Sequence, residues 1–320
     1  MKNILVIIMS LFCLTAFAAG KKQIGISQIV AHPALDAVQK GIIDAVEKCG
    51  FKNGKDVDFD VQLANGNMVT ANQIATNFIG AKKDIVIGIA TPTALALAGA
   101  YSKSSPSTPV IFSAVTDPVG AKLVRNIEKP GGNITGVSDL APIDTQFQLI
   151  FDLGLKPKAV GIIYNAGEQN SRSQLALAQK AAKMRNVKLV ERAIATSADV
   201  ATAANSLVGQ VQAMYITTDN TVVSALEALI KVADAHKIPL VMSDTDSVKR
   251  GALAARGFDY YKHGVQTGNM VCRVLTGAKP ANTPVEFQKE MVLVINKKKA
   301  DALGISIPEN LLKSADEIIK

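Results

Sequence analysis

The chain has 320 residues, 48% of them hydrophobic, with 35 Lys and Arg against 27 Asp and Glu and a formal net charge of +8. That hydrophobic content excludes a disordered chain, and the length suits two domains better than one core. The basic excess is scattered apart from Lys297-Lys298-Lys299, a solvated run, so nucleic acid is not an expected partner.

Lys2 and the apolar run Ile4–Phe17, too short to span a membrane, precede Ala16-Phe17-Ala18. This is the grammar of a secretory signal peptide over residues 1–19, cut after Ala18 or Ala19. Cys13 lies inside the apolar run behind Phe12, where a lipoprotein signal would want a small residue, and reads as part of the signal. No later segment looks like a second apolar span. The protein is therefore expected to work outside the cytoplasm. Cys49 and Cys272 remain after cleavage, enough for one bridge but not for a disulfide scaffold.

From residue 24 a short apolar strand and a helix alternate. Strands at Ile24–Ser27, Val57–Val61, Ile85–Ile89 and Val110–Phe112 are followed by helices at about Leu35–Cys49, Met68–Gly80, Thr93–Tyr101 and Pro118–Val124. Lys129-Pro130-Gly131-Gly132-Asn133 is a loop, and Ile134–Val137 is the next strand. The pattern then restarts with a helix at about Thr145–Leu153. Strands follow at Ala159–Tyr164, Val187–Ala193, Ala213–Ile216, Pro239–Met242 and Ala252–Ala255. Helices lie between them at Ser171–Met184, Ser197–Leu207 and Val222–Ala235. Tyr260–Gly277 is helical, Met291–Ile295 is a strand, and a last helix lies near Glu309–Ile319. The fold class is α/β: two doubly wound parallel-sheet lobes in tandem, joined near residue 140.

Ligands of such sheets sit outside the carboxyl ends of the strands, so candidate residues are sought there. Gln28 closes the first strand. In Gly88-Ile89-Ala90-Thr91-Pro92-Thr93-Ala94, Thr91 is the expected N-cap and Pro92 the first helical residue. The amides of Thr93 and Ala94, beside Ala90, would then form an anion site with the helix dipole, and the hydroxyls of Thr91 and Thr93 could add donors. Thr116-Asp117-Pro118 repeats that grammar, though Asp117 also reads as a plain cap. Tyr164 ends the first strand of the second half, and Asn165, Glu168, Asn170 and Ser171 cluster after it. Asp219-Asn220 and Asp244 follow two later strands, where they can cap helices or meet a cationic group.

Catalytic constellations are absent from the sequence. There is no HExxH, CxxC or GxSxG, and Pro130-Gly-Gly-Asn lacks the Lys-Ser/Thr pair of a P-loop. Asp244 and Asp246 lack the spacing and closing Glu of a Ca²⁺ loop. His32, beside Pro33 near the first strand end, could line the cleft. No enzyme activity, metal or cofactor is expected.

The segments GIATPTALA (88–96), VTDPVGAKLV (115–124) and KPGGNITGVSD (129–139) resemble periplasmic substrate-binding proteins of ABC transporters with the type I two-lobe fold. GIIYNAGEQNS (161–171), ALAARGFDYYKHGVQTG (252–268) and LGISIPENLL (303–312) carry the same resemblance. It points to the branch with tryptophan- and aromatic-amino-acid-binding components, and it covers the mature chain. It implies a hinge crossed near Ser138–Ile143, near Phe258–Tyr260 and near Pro284. The first lobe would hold 20–140 with about 260–283, the second 141–259 with about 284–320. It also implies that the helices of Cys49 and Cys272 can be neighbours, bridged or as separate thiols.

On this reading the lobes close on an aromatic or apolar amino acid, and the ABC membrane subunits recognise the closed form of a monomer. The carboxylate would meet Thr91–Ala94 and the ammonium Asp219, with Glu168 or Asp244 as alternatives. A sugar or nucleoside binder, or a ligand-sensing receptor subunit, is the alternative. Sugar pockets commonly use aromatic platforms. This chain has no Trp, and Tyr164 and Phe112 are its clearest aromatics at the cleft.

Overall fold

The computed structural model describes residues 20–320, so the expected signal peptide, with Cys13 and the cleavage site, lies outside the described residues. The first half runs β1 (Lys22–Gln28), α1 (Pro33–Lys48), β2 (Val57–Leu63), α2 (Met68–Gly80), β3 (Ile85–Ile89), α3 (Thr91–Ser104), β4 (Val110–Ser113) and β5 (Ile134–Ser138). The second half begins with α4 (Ile143–Asp152), β6 (Ala159–Asn165), α5 (Gln169–Met184), β7 (Lys188–Ile194), α6 (Val200–Asn205) and β8 (Ala213–Ile216). It continues with α7 (Asn220–Ser224), α8 (Leu226–Ala235), β9 (Leu240–Met242), α9 (Asp246–Lys249) and β10 (Ala254–Gly257). The chain ends with α10 (Tyr260–Leu275), β11 (Glu286–Phe287), β12 (Val292–Asn296), α11 (Lys297–Leu303), α12 (Glu309–Lys313) and β13 (Glu317–Ile319).

Two sheets result. The first has the order β11-β5-β4-β3-β1-β2 and is parallel throughout. The second has the order β13-β12-β10-β9-β8-β6-β7 and is parallel except where β10 meets β12. Their central strands, such as Ile85–Ile89 and Ala213–Ile216, are buried along their whole length, as apolar runs covered on both faces should be. Each half repeats one doubly wound order, with its switch point between the first and third strands: β1/β3 in one, β6/β8 in the other. That is where such folds hold ligands.

Several elements depart from the pattern read in the sequence. Residues 118–124 form turns, not a helix, because Gly120 is tied back to Asp117 and Lys122 adopts φ 58°. The helix expected over 222–235 breaks at Ala225 into α7 and α8. The last helix stops at Lys313, and Glu317–Ile319 turns into a strand beside β12. The region 197–207 opens with a single 3₁₀ turn, Ser197–Asp199, before α6. The strand expected over 252–255 sits two residues later, at β10, while α9, α11 and the two-residue β11 carried no clear period. The third crossing between sheets lies after Phe287, beyond the expected Pro284, because β11 adds to the first sheet.

The helix α10 returns to the first lobe and packs against α1. Gly41 and Gly264 make this possible: a Cβ on Gly41 would lie 2.3 Å from the Tyr261 carbonyl, and one on Gly264 2.2 Å from that of Val38. A disulfide joins Cys49 to Cys272 across the same pair of helices, with Cα atoms 6.6 Å apart. Gly264→Val should force the helices apart and lower stability by about 1–3 kcal/mol, the range for overpacked cores. Thermal unfolding of the variant checks this, and an unchanged Tm contradicts it.

Candidate ligand-binding site

The carboxyl ends of both sheets face one another and enclose a small, tightly closed cavity at the place where such folds hold their ligands. The first lobe supplies His32, Ala34 and Leu35 at the start of α1, Ala114 and Thr116 after β4, and Asp139 after β5. The second supplies Asn170, Thr218, Asp219, Asn220, Val223 and Asp244, and Tyr260 opens α10 at the same place. None of these lining residues is Lys or Arg, whereas three are carboxylates.

Those carboxylates are held by the protein. Asp219, fully buried, caps α7 by accepting from the Val222 amide at 2.8 Å, and its other oxygen accepts from the Asn165 amide and the Ser171 hydroxyl, both at 2.6 Å. Burial, and then the nearby Glu168 carboxylate, push its pKa up to about 7, against the pull of those three donors. Asp139 accepts from Thr116 Oγ1 at 3.1 Å and from Tyr260 Oη at 2.9 Å. Burial is also the main force raising Asp244, which accepts from the amide and hydroxyl of Ser247.

Glu168 does not line this cavity. Its two oxygens gather the Asn170 amide, the backbone and side-chain amides of Asn220, and the amide and hydroxyl of Thr221. It is a brace tying the loop after β6 to the start of α7, which accounts for the density of polar side chains there. Ser171 likewise acts through Asp219.

Of the expected site residues, Thr116, Asn170, Asp219, Asn220 and Asp244 meet at the cavity. Ala90, Thr91, Thr93 and Ala94 are buried at the junction of β3 and α3 but do not line it. The helix there is capped by Ala90, not Thr91, and Ala90 takes φ 76°, a conformation costly for a residue with a side chain. Ala114, at the end of β4, does the same with φ 53°, its amide held by His263 Nε2 at 2.9 Å. The Thr93 hydroxyl turns back to the Ile89 carbonyl, while that of Thr91 is buried without a partner. The Gln28 amide donates to Val30 and Asp36 while its Oε1 stays buried without a partner, and Gln28, Tyr164 and Phe112 all stay away from the cavity, Phe112 within the core. Asn165 lies instead on a wider outer groove of about 800 Å³, with Glu168 and Arg172 on one wall and Met68, Val69 and Pro92 on the other.

Asp117 joins the lobes. It accepts from Ser173 Oγ at 3.1 Å, and Gln174 Nε2 reaches Thr116 Oγ1 at 3.5 Å beside it. Asp139, Tyr260, Leu35 and Val223 were missed as lining residues. Asp139 closes the motif KPGGNITGVSD and was legible as a strand-end acid. The apolar residues carried no signal of their own. Among the described residues no cluster of His, Cys, Asp and Glu is placed to hold a metal ion, and no helix is long and apolar enough to cross a membrane.

Two α/β lobes joined by three crossings, with an acid-lined cavity at their facing switch points, define a type I periplasmic binding protein architecture. Residues 23–319 match the family model described as ABC transporter substrate binding protein, and the chain belongs to that family. A tyrosine-binding protein of Clostridioides difficile (strain R20291) is 42% identical over 285 residues, 89% of this chain and 81% of that one. The structure of an ABC domain in complex with L-Trp from Streptococcus pneumonia is 37% identical, with TM-score 0.89, covering 93% of this chain and all (100%) of that one. A ligand-free, open structure of a substrate-binding protein with adhesive properties from Clostridium difficile, also 37% identical, reaches TM-score 0.69 over 92% of this chain and 98% of that one. At equal identity the better superposition is on the complex, in keeping with the hydrogen bonds that bridge the two lobes here.

Proposed function

We propose that this protein captures an aromatic amino acid between its lobes, outside the cytoplasm, and presents it to the membrane subunits of an ABC transporter. The observation that carries this reading is the cavity itself. Three carboxylates and no cationic side chain face an enclosed space with apolar walls at Ala34, Leu35 and Val223. A buried ammonium on a hydrophobic body is what such a site can pair. The relatives that bind tyrosine and tryptophan support the same class of ligand.

The ammonium is assigned to Asp219, with Asp139 and the free Asn170 Oδ1 nearby. The carboxylate is assigned to the segment after β4, where Ala114 and Thr116 line the cavity. Contacts divided between lobes make the ligand favour the closed state, and only that difference in affinity can shift the equilibrium. Export rests on the signal-like residues 1–19, and N-terminal sequencing of secreted protein should begin at Ala19 or Gly20.

A thermal-shift panel of amino acids, sugars and nucleosides tests the ligand class. An aromatic amino acid at a thousand times its Kd should add about 4 kcal/mol, a rise of several degrees in Tm. A response to sugars or nucleosides alone overturns the reading.

A further inference from the structure

The carboxylates along the cavity already accept hydrogen bonds from the protein, but one side chain facing it completes none. His32, 8% exposed, has no partner at either ring nitrogen. Asn220, beside it on the other lobe, comes close enough for its side chain to favour a protonated ring, but it completes no hydrogen bond to either nitrogen and gives its amide to Glu168. A buried polar group left unpaired is unfavourable, so whatever fills the cavity is the natural source of His32's partner. Burial, and then the Arg250 charge, lower the His32 pKa to about 3. The ring is therefore neutral near pH 7 and offers one donor and one acceptor.

Its position says which part of a ligand it meets. Asp139 and Asp219 follow β5 and β8, whereas His32 follows β1, two places from β4 and three from β5 in the first sheet. At roughly 4.8 Å per strand, two places are about 10 Å. The apolar part of the lining is made by Ala34 and Leu35, which follow His32 at the start of α1, and by Val223 of α7, with the polar Asn220 also beside the ring. An aromatic amino acid with its ammonium among the carboxylates lays its ring along those walls and turns the far edge of the ring toward His32.

We infer that His32 is a specificity-determining residue that reads a hydroxyl or N–H on the ligand's ring, so that the site takes tyrosine- or tryptophan-like side chains and rejects phenylalanine. This rests on the aromatic amino-acid reading above. A phenol hydroxyl can both donate to and accept from the imidazole, and an indole N–H can donate to it. A phenyl ring does neither and leaves the imidazole unpaired, the situation in which sites discriminate strongly.

The test is calorimetry of the full mature protein with tyrosine, tryptophan and phenylalanine, on wild type, His32→Leu and His32→Gln. In the wild type the better of tyrosine and tryptophan should bind at least about 100-fold tighter than phenylalanine. His32→Leu should shrink that ratio to within about threefold, chiefly by binding phenylalanine relatively better, and His32→Gln, which keeps a donor and an acceptor, should retain most of it. A ratio is insensitive to a general loss of folded protein, and Tm values of the variants identify such a loss. Wild type that binds phenylalanine within threefold of the better ligand overturns the inference, as does an unchanged ratio in His32→Leu. Absence of binding to all three overturns the aromatic amino-acid reading itself, and this inference with it.

Discussion

Asp219→Ala is expected to weaken binding of the aromatic amino acid by about 2–5 kcal/mol, roughly 30- to 4,000-fold, chiefly as faster release. The variant leaves a buried ammonium without its charged partner. It also removes the acceptor for Val222, Asn165 and Ser171, so the ligand-free fold should soften as well. Asp219→Asn is not a silent control. Its amide must present NH₂ toward one of those donors, and the backbone N–H groups of Asn165 and Val222 cannot turn away. Affinity by calorimetry and Tm without ligand must therefore be read together. Wild-type affinity in both variants removes Asp219 from the site and leaves Asp139 or Asp244 as the ammonium partner.

The same carboxyl makes binding depend on pH. On the proposed assignment the ammonium needs Asp219 ionised, and in the empty protein burial and Glu168 raise its pKa to about 7. Affinity should fall about tenfold per pH unit below that value and level off above it. The sign for the ligand-free fold is opposite. A carboxyl with a raised folded pKa binds more protons folded than unfolded, so its contribution to stability is lost as pH rises from about 4 to 7. Calorimetry from pH 5 to 8 checks the first trend, and a flat profile contradicts it.

The second large effect belongs to the disulfide. Cys49 and Cys272 are 223 residues apart in sequence, and closing so long a loop restricts the unfolded chain strongly. Reduction, or replacement of both by Ser, should lower stability by about 2–5 kcal/mol. Ligand affinity should change little. The bridge lies at Cys49, which caps the far end of α1, and in the later turns of α10, whereas His32 and Tyr260 stand at the opposite ends of those helices. Thiol counting in denaturant, before and after reduction, checks the bond. Two free thiols in protein recovered from an oxidising compartment contradict it.

The doubly wound architecture was legible because buried parallel strands read as unbroken apolar runs, and Met68–Gly80, Ile85–Ile89 and Ala213–Ile216 fall where the pattern put them. The strand-end acids were legible for the same reason, since the fold fixes where ligands lie before any side chain is known. What failed was local chemistry. Nothing in Ala90 or Ala114 announces a positive φ, and Thr91 looks like a better cap than the alanine before it. Glu168 and Asp219 are alike as acids after strands. Only the donors around them separate a brace from a residue that faces the cavity. Val223 and Leu35 are ordinary helix residues until two lobes meet.

Ser173 and Gln174 reach Asp117 and Thr116 across the cleft using protein groups alone. An empty molecule therefore has its own reasons to shut. Every ligand then meets a protein already inclined toward capture, which raises apparent affinity without any contact to the solute. On the proposed function, the same inclination would put unloaded protein in competition with loaded protein for the membrane subunits. The strength of these two bonds would then set a balance between scavenging scarce solute and idle cycling. Ser173→Ala should shift that balance toward openness, seen as a larger radius of gyration in solution without ligand.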